Sequence, residues 1–259
     1  MTHTRTLAAA LSALTLLASP CLAQTAPSYA ANHPDWIGYY RNSHADELQG
    51  FKPSFTDDKL LDVEIEKHLQ PWAKVKMEQT NGVAEDTGAI CQLDGPFRLV
   101  IRGGSFQWLP TLDGKKILLV SGGIYSAGVR KVFMNQQHPK YPPPTWLGHS
   151  IGRWDGDTLV VDTVGFNSKF WLTSSMQPHT EELHSIERYR MAAKGLIEVE
   201  TTIEDRQALT SPYKYTMYFT KVDSEVGEHV CNPEEGDMRM WNDYRVKGIK
   251  AGMIPVSPK

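Results

Sequence analysis

From Pro96 to Val222 the chain runs as short β-rich stretches cut apart by turn signals, and this grammar limits its fold more than any other feature. The stretches are FRLVIRG, SFQWLPTL, KKILLVSGG, VRKVFMN, SIGRW, TLVVDTVGF, ELHSIERYRM, LIEVETTIED and YKYTMYFTKV. Asp113-Gly114 divides the second from the third, Asp155-Gly156-Asp157 makes SIGRW and TLVVDTVGF a hairpin, and AAKG joins ELHSIERYRM to LIEVETTIED. Turns this tight predict antiparallel neighbours throughout. The loop QQHPKYPPPTW cannot be helical.

The last two stretches alternate with a period of two. Ile197, Val199, Thr201 and Ile203 share one face against Glu198, Glu200, Thr202 and Glu204, and Tyr213, Tyr215, Met217 and Phe219 share one against Lys214, Thr216 and Thr220. One face is therefore solvated. Such strands without intervening helices favour a mainly β fold, a closed or nearly closed antiparallel barrel of about eight strands, because closure removes exposed edges. A two-sheet β-sandwich is the alternative.

Residues 24–95 read as an N-terminal extension, 96–235 as the barrel and 236–259 as a C-terminal tail. Within the extension, 24–35 form a polar lead-in and Trp36-Ile37-Gly38-Tyr39-Tyr40 a short aromatic strand that packs on the body. A helix is expected from Thr56, with Leu61, Ile65, Leu69 and Trp72 on one face and Pro71 ending or kinking it. Residues 80–95 form a loop carrying Cys91.

The first residues show a basic start at Arg5, an apolar run from Leu7 to Leu17 and small residues before Gln24. This predicts a signal peptide, 1–23, cleaved after Ala23, and a periplasmic or secreted protein. The run is too short for a bilayer span, which needs roughly 20 residues, so no membrane insertion follows cleavage. Cleavage removes Cys21 and leaves Cys91 and Cys231, which in an oxidising compartment most simply pair as a disulfide. Two free thiols or one reactive thiol are the alternatives. A net charge of −3 with interspersed signs offers no basic field for nucleic acid, and 41% hydrophobic residues exclude a disordered chain.

Gly148-His149-Ser150-Ile151-Gly152 spells the G-x-S-x-G elbow of serine hydrolases, but the elbow needs a strand, a sharp turn and a crossover helix, and here a hairpin follows. The string GHSIGRWDGDTLVVDTVGFN, followed by PHTEELHSIERYR and TTIEDRQALTSPY, resembles an exported, largely uncharacterised bacterial family with a GHSIGxWxGDTLVVDTxGF hairpin. The resemblance covers about residues 90–235 and departs at Arg206 and Tyr213, where the family usually has Pro and Trp. It implies a calycin-like (lipocalin-like) barrel, export, and cysteines flanking the strand series, and brings no catalytic residues with it.

Alternation places Glu187 on the inner face with Leu183, Ser185, Tyr189 and Met191, where a carboxylate is either half of an ion pair, with an arginine such as Arg102 or Arg153, or a titrating group in a cavity. Asp162 interrupts TLVVDTV and faces inward if Val160 and Val164 do; a structural hydrogen bond to a neighbouring strand or turn is its alternative role. His149 and His184 are candidate partners in acid/base catalysis, since imidazole titrates near neutrality. His179, His184 and Glu187 match no standard metal spacing, so no metal site is expected. Trp108, Trp154, Tyr189 and Tyr215 either fill the core or line a substrate cavity, with Arg188 and Asn167 as polar substrate contacts.

The leading functional expectation is a periplasmic, cofactor-independent lyase or isomerase acting by acid/base catalysis on a hydrophobic or aromatic small molecule. The catalytic residues would be Glu187, Asp162, His149 and His184. A lipocalin-type carrier without turnover is the first alternative and a Ser150 hydrolase the second. No phosphate loop, Rossmann fingerprint or haem-attachment string is present, so no classical cofactor is expected.

Overall fold

The computed structural model describes residues 34–54, 58–82, 85–88, 90–101, 104–122 and 127–227. The segment 1–23, the tail 236–259, Cys231, Thr56 and Arg102 lie outside the described residues. Nine strands close a barrel: β1 (Gly38–Asn42), β2 (Ser105–Pro110), β3 (Lys116–Gly122), β4 (Ala127–Met134), β5 (His149–Asp155), β6 (Thr158–Val164), β7 (His184–Ala193), β8 (Leu196–Glu204) and β9 (Tyr213–Val222). The strand order follows the sequence, and the short hairpin turns at 113–114, 156–157 and 194–195 account for it. The alternation read in β8 and β9 holds: Ile197, Val199, Thr201 and Ile203 are buried, as are Tyr213, Tyr215, Met217 and Phe219.

Four expectations need correction. The aromatic stretch near Trp36 supplies β1, a strand of the barrel itself, which pairs with β2 on one side and β9 on the other and so closes the sheet. FRLVIRG is no strand; its first five residues lie in the helix Gly95–Ile101. A proline near a helix start presets the backbone angle, and Arg98 lies one helical turn from Asp94, which it contacts at 3.1 Å while reaching Asp86 at 3.0 Å.

The pairing of β4 with β5 is parallel and covers only Val132–Ser150, Phe133–Ile151 and Met134–Gly152. The proline-rich loop carries the chain back to the end of the barrel where β4 began, so the next strand cannot run antiparallel. Here the two strands approach closely: a Cβ on Gly152 would meet Val132 Cγ1 at 2.7 Å and Met134 Sδ at 2.9 Å. Towards its start, β4 has no β5 partner.

The expected helix is two helices, α1 (Asp58–Lys67) and α2 (Pro71–Gln79), followed by the Gly95–Ile101 helix as α3. Pro71 opens α2 instead of kinking α1. The break between them is stitched to the loop after β8, where Gln70 N–H donates to Ala208 O at 2.8 Å and Thr210 N–H to His68 O at 2.7 Å. Leu61, Ile65 and Leu69 are buried as the spacing predicted, but the break changes the helical phase and leaves Trp72 45% exposed.

Aromatic rings fill much of the lumen. Trp36 lies 5.1 Å from Trp108 and 5.3 Å from Trp154, while Trp108 meets Tyr189 edge-on at 5.6 Å. Such contacts add about 0.5–1.5 kcal/mol each beyond burial. Pro96 and Phe97 of α3 reach the lumen beside Phe106 and Phe219.

Candidate functional site

Two polar groupings stand out, one inside the wall and one outside it. Inside, β7 aims Glu187 at Arg130, which alternation on β4 places inward with Val132 and Met134. The guanidinium grips both carboxylate oxygens, at 3.0 Å through Nη1 and by a very short contact through Nη2. It also donates to Ser150 Oγ at 2.9 Å and Thr163 Oγ1 at 2.7 Å, and Tyr189 O–H donates to Glu187 Oε1 at 2.9 Å. Burial works against the Arg130 charge, but the Glu187 carboxylate beside it raises the pKa above the ordinary value. Burial, and then the same carboxylate, push Tyr189 well above the phenol range, so it is a neutral donor. The network balances its own charge, Arg130 against Glu187.

Glu187 therefore takes the ion-pair role, with Arg130 as partner. Of its expected partners, Arg153 is exposed on β5, facing outward, and Arg102 lies outside the described residues. Nothing in VRKVFMN marked Arg130 as internal, because Val129 and Phe133 make the opposite face equally apolar by composition.

Ser150 is buried with its hydroxyl shared between Arg130 and Thr163, the latter at 2.9 Å. It sits within β5, not on a strand-to-helix turn, and the adjacent His149 points to the other face of the sheet. The nucleophile elbow is absent, and the hydrolase expectation is corrected on that ground.

The second grouping lies on the outer surface. On β6, Leu159, Val161 and Thr163 face inward, which turns Asp162 outward with Val160 and corrects its placement in the lumen. There its Oδ1 accepts from His184 Nε2 at 2.9 Å and from His138 Nε2 at 3.2 Å, the structural hydrogen bonding that was its alternative role. His138 Nδ1 meets His149 Nδ1 at 2.9 Å. A carboxylate only accepts, so the hydrogen-bond network assigns the proton of neutral His138 to Nε2. His149 then donates through Nδ1 to His138 Nδ1.

Burial would raise the Asp162 pKa, but the hydrogen bonds from His184 and His138 hold it below the usual carboxylate value. The Asp162 hydrogen bond raises His184, whereas burial and the neighbouring His138 lower His149. The structure thus brings three of the four expected catalytic residues together, adds His138 from the proline-rich loop, and leaves Glu187 on the other side of the wall. His138 carried no signal, since loop residues have no periodicity to read. Among the described residues no group of three or more His, Cys, Asp or Glu side chains is arranged to hold a metal ion.

Of the substrate-contact candidates, Trp108, Tyr189 and Tyr215 are buried inside, and Trp154 lies on the inner face against Trp36. Arg188 lies on the outer face, away from the lumen, where it pairs with Asp155 at 3.2 Å. Asn167 sits in the loop after β6, and its Oδ1 accepts the Lys169 backbone N–H at 3.1 Å.

Three openings among the described residues bear on the site. Two internal cavities of about 20 Å³ each, with room for about one water, share Pro96, Phe106 and Tyr189 in their walls. A groove of about 280 Å³ opens where β4 lacks a β5 partner, lined by Leu93, Val129, Phe133, Trp146 and neighbouring residues. Arg130 and Leu147 line both the groove and one internal cavity.

The fold and this interior define a closed mixed β-barrel of calycin-like form. No family model and no curated protein matches the chain. Among solved structures it is similar to a "REP1-NXSQ fatty acid transporter", at 11% identity and a TM-score of 0.36, over 74% of this chain and 99% of that one. A point mutant of that transporter aligns at 10% identity and a TM-score of 0.34, over 73% and 99%.

Proposed function

We propose that the protein is a ligand-binding barrel that holds a hydrophobic small molecule in the groove between β4 and β5 without turning it over. The observation that carries this reading is the largely apolar groove of about 280 Å³, which shares Leu147 and Arg130 in its wall with an internal cavity. Its volume is near the lower end of small-molecule sites, about 300 Å³. The lyase or isomerase reading receives less support, because its carboxylate in the lumen is locked to Arg130 and its histidines stand on the opposite face.

Titration with the uncharged dye N-phenylnaphthylamine tests this reading. Saturable one-to-one binding with a blue-shifted emission is expected; emission that rises linearly with dye and never saturates would contradict it. We also propose export, as the N-terminal pattern and the resemblance to the GHSIG-containing exported family suggest. Intact mass of protein recovered outside the cytoplasm should then correspond to a chain starting at Gln24.

A further inference from the structure

Where β7, β8 and β9 face water, cations stand against acids. Arg190 meets Glu198 at 2.8 Å, Lys214 meets Glu200 at 2.9 Å, and Arg188 meets Asp155 of β5 at 3.2 Å. Lys131, in the middle of β4, is different. It is exposed, it lines the groove, and among the described residues it makes no ion pair. Alternation turns it outward with Val129 and Phe133, while pairing with β3 sets Leu118 directly opposite and Lys116 and Val120 on the diagonals. None of these neighbours is an acid.

The groove repeats this asymmetry. Its wall holds two cations, Arg130 and Lys131, and no aspartate or glutamate. Arg130 is neutralised by Glu187, so among the described residues Lys131 is the uncompensated charge of the wall. Most of the remaining wall is apolar: Leu93, Val129, Phe133, Trp146 and Leu147. An ammonium beside such a wall suits a partner with two ends, an apolar body that leaves water and an anionic head that meets the cation. A second negative charge on the same molecule would find no counter-ion in the wall.

We propose that the ligand of the β4–β5 groove is a compact amphipathic monoanion, a carboxylate or a sulfate ester, whose head meets the Lys131 ammonium while its apolar body lies along Val129, Trp146 and Leu147. The proposal rests on the binding reading above and names the ligand class for the same site. An ammonium is a point charge that does not select a planar carboxylate over a tetrahedral sulfate, so either head serves. The groove, at about 280 Å³, keeps the apolar body short.

The test displaces N-phenylnaphthylamine with octanoate, octyl sulfate, octanol and octylammonium, which share one apolar chain and differ in the head. On the wild-type protein both anions should bind more tightly than octylammonium. Lys131→Gln should lower the ratio of octanoate to octanol affinity about three- to fivefold, the range of a solvent-exposed ion pair. Lys131→Glu should invert the order and favour octylammonium. Raising salt to about 1 M, which shortens the Debye length to about 3 Å, should lower the same ratio on the wild-type protein with no substitution. A ratio that neither Lys131→Gln nor salt moves, or octylammonium bound as tightly as octanoate, overturns this proposal, while saturable N-phenylnaphthylamine binding still upholds the binding reading. Failure of N-phenylnaphthylamine to bind the wild-type protein overturns both.

Discussion

At the scale of single residues, burial of the Arg130–Glu187 pair and of His179 has direct energetic consequences. Removing one member of a buried ion pair strands the other, at about 3–5 kcal/mol, whereas replacing both by apolar residues of similar volume is often neutral or stabilising. Glu187→Ala should therefore lose about that much stability in urea unfolding, and Arg130→Met combined with Glu187→Leu should recover most of it. A double variant no more stable than the single one would contradict the closed-network account. His179 packs against Phe170 at 4.1 Å, and burial pushes its pKa down to about 4. Its pKa is lower folded than unfolded, so the unfolded chain takes up the proton first as pH falls. The residue then contributes a loss of stability that begins near pH 6.5, reaches about 3 kcal/mol, and levels off below pH 4. NMR titration of the ring should give a midpoint near 4, and His179→Gln should remove that part of the acid loss. A midpoint near 6.5 would contradict the burial argument.

Elements were legible where composition alternates cleanly and where turns are short. β8 and β9 could be assigned to a face residue by residue because Ile, Val and Tyr alternate with Glu, Lys and Thr. β4 and β6 give no such assignment, because valines occupy both faces: the pattern neither marks Arg130 as internal nor decides on which face Asp162 lies. FRLVIRG has β-like composition, and only the contacts of Arg98 with Asp86 and Asp94, formed in three dimensions, tip it into α3. The parallel β4–β5 junction escaped sequence reading because a long proline-rich loop specifies no direction of return, and the groove exists only through that junction. Glycines at the two ends of β5 should respond unequally. Gly148 (φ +67) and Gly156 (φ +60) both hold a left-handed backbone, but a Cβ at 148 would meet Thr163 Cγ2 at 2.6 Å, while one at 156 meets nothing within 4 Å. Gly156→Ala should cost about 1–2 kcal/mol and Gly148→Ala roughly 2–4, since overpacking adds to the strain, as measured by denaturant midpoints. Equal losses would show that the start of β5 has more room than the structure gives it.

At the scale of the whole molecule, barrel closure depends on β1, a strand contributed by the segment first read as an extension, so deleting residues before Ser43 should open the barrel. The cysteines act at the same scale. A Cys91–Cys231 bond would close a loop of about 140 residues and add about 4–5 kcal/mol in the chain-entropy model. Non-reducing peptide mapping of exported protein should recover the Cys91–Cys231 pair, and free thiols at both positions would contradict it. The central claim is that the molecule holds a hydrophobic ligand at the β4–β5 groove, whose wall residue Phe133 stacks on His149 at 4.9 Å, and not over Asp162 and His184 further along that outer face. Methyl NMR during titration with N-phenylnaphthylamine tests this most directly: saturating shifts at Leu119, Val129 and Leu147 with Val160 and Ile186 unmoved are expected, and shifts centred on Val160 and Ile186, or none that saturate, would contradict it.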